Sequence, residues 1–360
     1  MARPDLSPRA RLLLPIFAAV LLFFTIRVMW CSAPARVLLG GETMGTTWAV
    51  TLNAPDLPRA ERTRVRERIQ TELDAVNGAM STWAPDSELS RFNAHASLES
   101  FALSKPTLEV LAAARGVSER TGGAFDVTVG PLVAAWGFGA GARVPGAGPD
   151  AAELAEIRER VGFERLELDP ATGTARKRHS GVRVDLSAIA KGHGVDRVAD
   201  ALLADGFGDF LVEVGGEVRA HGERPGGGGW RLAIERPEPD GRAVHAVVEL
   251  SGMALATSGD YRAFYEAAGE RVTHIVDPRV GRPVSHGLAS VSVLHERAAL
   301  ADAWATALTV LGPEEGLRVA EAEGLAVYLI VRGESGAYEI RTTPAFPPVS
   351  SPRDASVSGD

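Results

Sequence analysis

The chain has 360 residues, 45% of them hydrophobic, with a formal net charge of −8 and a single cysteine. That length allows one large domain or two or three smaller ones, with a sizeable apolar core. The acidic balance and the lack of a basic stripe with interleaved aromatics exclude a general nucleic-acid footprint, and Cys31 alone excludes an intrachain disulfide framework and a Cys-based zinc site.

In chain order, residues 1–35 read as a signal peptide or membrane anchor ahead of a body spanning 36–343. Arg3, Arg9 and Arg11 precede the apolar run Leu12–Ile26, the layout of a secretory leader. Ala-Pro-Ala at 33–35 is a cleavage site. Counted through Trp30, the run is about 19 residues, enough to span a bilayer, with Arg27 interrupting its far end. Lipidation at Cys31 is a third fate, but Val28, Met29 and Trp30 are bulky where a lipoprotein signal wants small residues. In every exported case the body faces an extracytoplasmic space, and the arginines favour a cytoplasmic N-terminus. A buried core helix is the bland reading, with nothing upstream to bury it.

From Val37 to Ala54 the pattern predicts a hairpin turning at Gly-Gly-Glu-Thr-Met-Gly-Thr-Thr-Trp. Val65, Ile69, Leu73 and Val76 make the one-sided stripe of a helix over 58–80. A loop over 81–93 follows, then a helix over 105–120 closed by Gly122 and Gly123. A short helix at about 150–161 precedes a hairpin turning at Thr172-Gly173. Val-Arg-Val-Asp-Leu (182–186) predicts a strand feeding a helix that ends by Gly206. Strands are predicted near 209–214, 230–235, 243–250 and 289–294, helices over 297–311 and 313–323, and strands near 325–331 and 337–341. The glycine-rich stretch 222–230 lacks the following helix of a phosphate cradle and reads as a flexible loop. Residues 344–360, rich in Pro and Ser, predict a disordered tail. No repeat is visible, and helices and strands mix without strict alternation, so the fold class is α+β.

Four stretches carry chemistry. At 184–196, Lys191 and His193 sit in the first turns of a helix, where the partial positive charge disfavours cations. The lysine is well placed if a phosphate occupies the helix start; otherwise it pairs with Asp185 or points to solvent. At 299–311, an almost wholly apolar helix carries Asp302 and Thr306 one turn apart on one face. A buried carboxylate needs a partner. Two hard oxygen ligands suit Mg²⁺, while the alternative has Asp302 favouring the helix start and Thr306 bonding back to the carbonyl of residue 302. At 273–283, His274 stands at a strand end beside the Asp277-Pro278 turn, as a base near neutral pH or a structural histidine. At 121–132, Phe125 and Asp126 follow a helix end, and Trp83, Phe125 and Trp136 offer flat apolar surface for a planar ligand or simply belong to the core. Ala256–Tyr261 reads as a small-residue turn, open to a ligand or a plain loop.

Taken together and in order, Met-Gly-Thr-Thr-Trp (44–48), the 81–93 loop, Gly-Ala-Phe-Asp-Val-Thr-Val-Gly-Pro-Leu (123–132), Val-Asp-Leu-Ser-Ala-Ile-Ala-Lys-Gly (184–192), Ser-Gly-Asp-Tyr-Arg (258–262), the 274–283 stretch and Ala-Asp-Ala-Trp-Ala-Thr-Ala-Leu (301–308) resemble the ApbE family, the FAD:protein FMN transferases, from about Gly41 to Tyr338. The resemblance implies an α+β fold in two lobes with the ligand between them. It implies FAD, as substrate, held by Met44, Trp83, Ala124, Phe125, Asp126, Asp185, Lys191 and Ile275. It also implies Mg²⁺ bound by the Ala188 carbonyl and the side chains of Asp302 and Thr306. Trp83 stands where relatives often have Tyr, and Ser187 where Gly is common. Met29-Trp30-Cys31 departs from the lipobox of many relatives.

The implied reaction is attack by a Ser or Thr hydroxyl of an acceptor protein on the FMN-side phosphorus of FAD, with AMP leaving. His274 is the candidate catalytic base, with Asp277 its possible orienter. The implied partner is an exported or membrane electron-transfer subunit, and the implied location the periplasm or the extracytoplasmic face of the inner membrane. Two other readings use the same residues: an FAD pyrophosphatase, in which water replaces the protein hydroxyl, and a non-catalytic FAD-binding protein, which has little need for Asp302 with Thr306. A membrane-tethered scaffold with an empty groove is the blandest.

Overall fold

The computed structural model describes residues 36–351 apart from 144–145, 147, 239–240, 242, 261–262, 268 and 334–335. The leader, Cys31 and residues 352–360 therefore lie outside the described residues, as does the Tyr261-Arg262 pair. No helix among the described residues is long and apolar enough to cross a membrane.

In chain order, hairpin β1 (Val37–Thr43) and β2 (Thr46–Leu52) leads to helices α1 (Arg59–Met80) and α2 (Glu88–Ala94). Then come β3 (Phe101–Ala102), α3 (Lys105–Arg120), α4 (Gly130–Ala135), α5 (Ala151–Arg158), β4 (Leu166–Asp169) and β5 (Thr174–Lys177). Helix α6 (Ala190–Ala204) precedes β6 (Phe210–Val214), β7 (Glu217–His221), β8 (Trp230–Glu235), β9 (Val244–Leu250) and β10 (Ala254–Gly259). The short strands β11 (Phe264–Ala267), β12 (Glu270–Thr273), β13 (Val276–Asp277) and β14 (Arg282–Pro283) pair two by two. The chain ends with β15 (Leu288–His295), α7 (Ala298–Ala322), β16 (Ala326–Arg332) and β17 (Tyr338–Thr342). The fold is α+β, as its pattern predicts.

An antiparallel eight-stranded sheet, ordered β1-β2-β6-β7-β10-β15-β16-β17, forms the frame. Successive side chains of a strand face opposite ways, and β16 shows the consequence. Val327 and Leu329 pack into the core beneath α7, whereas Tyr328 and Ile330 pack into the one formed with hairpin β8–β9. Both faces are thus covered at the centre, so β16 reads as a continuous apolar run, and β15 is buried along nearly its whole length, its Ser290 and Ser292 included. The long apolar helix α7 is two helices joined end to end. Gly312 breaks it with φ 81°, ahead of Pro313, at the boundary its sequence predicts.

Four expectations need correction. The expected loop over 81–93 gives way to helix α2 from Glu88, capped by the Ser87 side chain. Residues 182–186 pair with no strand. They run extended along Asn93, whose amide donates to the Val184 carbonyl at 2.8 Å and accepts from its N–H at 2.7 Å, while Asp185 N–H donates to Val127 at 2.7 Å. A side chain here does the work of a neighbouring strand, which no local pattern reveals. Residues 256–259 are not a turn but the end of β10, paired with β15. The start of the expected disordered tail is ordered: Phe346 is buried against Tyr328, and Ser350 and Val247 exchange backbone hydrogen bonds.

Candidate active site

A cleft of about 910 Å³, near the top of the range of about 300–1,000 Å³ for small-molecule sites, opens over the ends of β2, β6, β7 and β10. Its wall includes Trp83, Ala124, Phe125, Asp126, Asp185 and Ala188. It also includes Lys191, His274, Ile275, Asp302 and Thr306, so that the wall is drawn from segments 27 to 223 residues apart in numbering. Met44 is the expected contact that does not line it. Its side chain packs between two core clusters, while Thr46 and Thr47 beside it face the cleft. Met44 and Gly45, with φ 47° and 72°, form the two-residue turn between Thr43 and Thr46, the positive-φ pair that a tight hairpin requires.

The lysine at the wrong end of a helix finds its explanation in residues far from it in sequence. Lys191 Nζ donates to Glu217 Oε1 at 2.8 Å and lies 3.6 Å from Asp302 Oδ2. It does not pair with Asp185, which instead accepts from Ser187 N–H in a local turn. Burial alone would lower the Lys191 ammonium; Asp302 and Glu217 outweigh it and hold the group charged. Burial raises both carboxylates despite Lys191, Glu217 to about 7. The cluster therefore sets two acids against one base in a poorly solvated place, where the second negative charge is held only at a cost.

Helix α6 already has its anion. Gly192 N–H donates to Asp302 Oδ2 at 3.2 Å, so a carboxylate from α7 takes the position assigned above to a phosphate. That bond has a second effect. Gly192 N–H is the donor that would otherwise close onto the Ala188 carbonyl, and among the described residues that carbonyl accepts no hydrogen bond. The same holds among the described residues for the Thr306 hydroxyl: Thr309 bonds back to the Ala305 carbonyl at 2.8 Å, but Thr306 makes no such bond to residue 302. Glu217 Oε2 is buried with no hydrogen-bond partner among the described residues. His193, the second cation of the helix start, is buried, and burial lowers its pKa, so it does not add charge to the cleft.

His274 lines the same cleft. Its Nδ1 lies 3.0 Å from the Ala263 carbonyl. A carbonyl can only accept, so Nδ1 carries the proton and Nε2 is left as the acceptor. Burial lowers the pKa of the ring, which keeps it neutral at pH 7. The expected orienter, Asp277, is engaged elsewhere. It holds Arg279 through a guanidinium–carboxylate pair at 2.9 Å and accepts from the Arg279 N–H. Among the three aromatics, Phe125 and Trp136 are buried, and the Trp136 indole donates to Gly281. Trp83 is 73% exposed on the rim, and Phe138 is an aromatic of the wall that the sequence reading passed over.

Asp126 caps the turn at Val127–Val129, accepting from Thr128 N–H and Oγ1, both at 2.7 Å. Burial nevertheless lifts its pKa from 3.8 to about 6. A carboxyl raised on folding contributes stability that is complete below its unfolded pKa and is lost as pH rises through the folded value. Shifted by about two units, it costs the fold about 3 kcal/mol at neutral pH. Asp126→Asn keeps the acceptor for Thr128 and removes that cost. Thermal melts should coincide with wild type near pH 4, and the variant should melt higher at pH 7. A constant offset across that range would contradict the assignment.

Glu217 is the cleft residue, paired with Lys191, that the motifs above do not single out. Gly215 and Gly216, with φ 59° and 105°, turn β6 into β7 between Val214 and Glu217. Gly-Gly flanked by Val214 and Glu217-Val218 is a hairpin signal, and following it would have placed an acid beside the cleft.

The profile of the ApbE family matches residues 44–329. A FAD:protein FMN transferase from Vibrio cholerae is 45% identical over 311 residues, 86% of this chain and 92% of that protein. One from Haemophilus influenzae is 42% identical over 88% of this chain and 92% of its own length. Among solved structures, flavin transferase ApbE from Vibrio cholerae superposes with a TM-score of 0.78 at 42% identity, covering 86% of this chain and 98% of that one. The apo flavinyl transferase ApbE of Pseudomonas stutzeri gives 0.78 at 36% identity, covering 86% and 95%.

Proposed function

This chain belongs to the ApbE family, and from that premise we propose that it transfers FMN from FAD to a Ser or Thr hydroxyl of an acceptor protein, releasing AMP. It is an enzyme of the FAD:protein FMN transferase class, as its relatives are named. The observation that carries the finer reading is one cleft holding both the neutral Nε2 of His274 and the Lys191–Glu217–Asp302 cluster. Phosphoryl-group transfer needs mainly positioning and charge neutralisation. Lys191 offers a charged donor to the pyrophosphate, and His274 accepts the proton of the incoming hydroxyl.

The residues fit a divalent ion. The open carbonyl of Ala188, the Thr306 hydroxyl and the Asp302 carboxylate are hard oxygen donors, the set Mg²⁺ prefers. With two acids for one base, the cluster can take up a cation in exchange for a proton. Bound there, Mg²⁺ would withdraw charge from the pyrophosphate oxygens.

The basic-then-apolar leader supports export, with the body at the periplasmic or extracytoplasmic face of the inner membrane. An acceptor in that space is a membrane or exported redox subunit. Trp83 supports a stacking role. Trp83→Ala should weaken FAD binding about three- to tenfold, the scale of one aromatic stack. Its melting temperature should stay unchanged, because the ring is exposed; fluorescence titration with FAD checks this.

Incubation with FAD, Mg²⁺ and a co-expressed acceptor tests the reading. Mass spectrometry should find a covalent FMN adduct on the acceptor, absent without this protein. Free FMN and AMP with no adduct would assign a pyrophosphatase instead, and bound, intact FAD a binding protein.

A further inference from the structure

Helices α6 and α7 cap each other. Asp196, on α6, is fully buried and spends both oxygens on the start of α7. Its Oδ1 accepts from Ala298 N–H and its Oδ2 from Ala299 N–H, each at 3.0 Å. Arg297, at the cap position of α7, provides no capping side chain of its own. In the other direction, Asp302 on α7 accepts from Gly192 N–H at the start of α6. Each helix therefore offers a first-turn amide and, four residues on, an acid: Gly192 with Asp196, Ala298 with Asp302. One turn separates the members of each set, so the two exchanges lock in a single register.

The crossing is too close for a side chain on α6. A Cβ on Gly192 would overlap the Ala298 carbonyl oxygen and come within 2.8 Å of Ala299 Cα. Arg219 Nη1 donates to Asp196 at 3.0 Å and Arg297 pairs with it at 3.3 Å, so the buried carboxylate is neutralised by two guanidiniums that it shares with Asp200. Asp196 does not line the cleft.

We infer that Asp196 is the positioning residue of the ion site, setting the register at which Asp302 and Thr306 on α7 face the Ala188 carbonyl at the start of α6. This rests on the metal reading above. Asp302 faces three claims, Gly192 N–H, the Lys191 ammonium and an ion; Asp196 faces none from the cleft and holds the register whichever claim prevails.

The test titrates Mg²⁺ into the FAD-free full chain by calorimetry and follows amide exchange at Gly192. Asp196→Ala should bind Mg²⁺ about 10–100-fold more weakly, the usual loss when a supporting partner of a metal ligand is removed, and the Gly192 amide should exchange faster. Asp196→Asn, which keeps one acceptor, should fall between and serves where the alanine variant does not fold. Val248→Ala, in the core of hairpin β8–β9, is the control. It should lower the melting temperature with unchanged Mg²⁺ affinity. Wild-type affinity in both Asp196 variants, or an equal loss in the control, would overturn the inference alone. A wild-type chain that takes up no Mg²⁺ would overturn the metal reading and this inference with it.

Discussion

Replacing His274 with alanine is expected to slow flavin transfer about 10²–10⁴-fold, the range for a lost general base, while FAD binding persists. The expectation follows from which ring nitrogen is free. The Ala263 carbonyl fixes the proton on Nδ1, so Nε2 is the group that faces an incoming hydroxyl. Burial lowers the ring's pKa, so the base is neutral without needing to lose a proton first. Two readouts separate this role from a structural one. Single-turnover transfer should fall with no matching loss in FAD affinity. The wild-type rate should also hold steady as pH drops to the ordinary histidine value and decline only below it, because protonation of a ring with a lowered pKa comes later. A variant that transfers FMN at the normal rate would remove His274 from the chemistry.

Asp302→Asn is the second large effect, and it moves activity and stability in opposite directions. Asparagine retains an acceptor for Gly192 N–H, and Lys191 keeps Glu217. What is lost is the charge. Burial raises the Asp302 pKa even with Lys191 beside it, so the ionised carboxylate is a cost to the fold. By linkage, its contribution is complete below the ordinary carboxylate pKa and is lost as pH rises through the elevated one. At pH 7 the variant, with the cluster now neutral, should melt at or above the wild-type temperature. On the proposal that Asp302 holds the ion, activity should fall at least about 10²-fold, since a bound divalent ion is worth several kcal/mol of charge stabilisation in the transition state. An excess charge kept at a cost to stability is what a functional site shows. A variant that is both less stable and fully active would reverse the argument.

Much of this molecule is legible in one dimension. The stripe of α1, the break at Gly312-Pro313 and the apolar run of α7 follow from local pattern, because periodicity reports burial directly. The pairing of Asp302 with Thr306 on one face needs only the helical repeat. The family motifs are equally local, and eleven of the twelve residues they single out line one cleft.

What the sequence could not determine is who neutralises whom. Lys191 is repelled by its own helix start, and no neighbour within reach along the chain answers it. Its partners, Glu217 and Asp302, lie 26 and 111 positions away and meet it only because β7 and α7 fold against α6. The short extended stretch before α6 is held by a side chain, Asn93, about ninety positions earlier. The tautomer of His274 depends on a carbonyl from another segment. A charge in a low-dielectric site must be answered in three dimensions, and chain order records only which charges exist. The sequence by itself named eleven residues that line one cleft and the helices that carry several of them; the tertiary structure decided the ion pairs, the open oxygens and the free nitrogen, because these depend on contacts between segments distant along the chain.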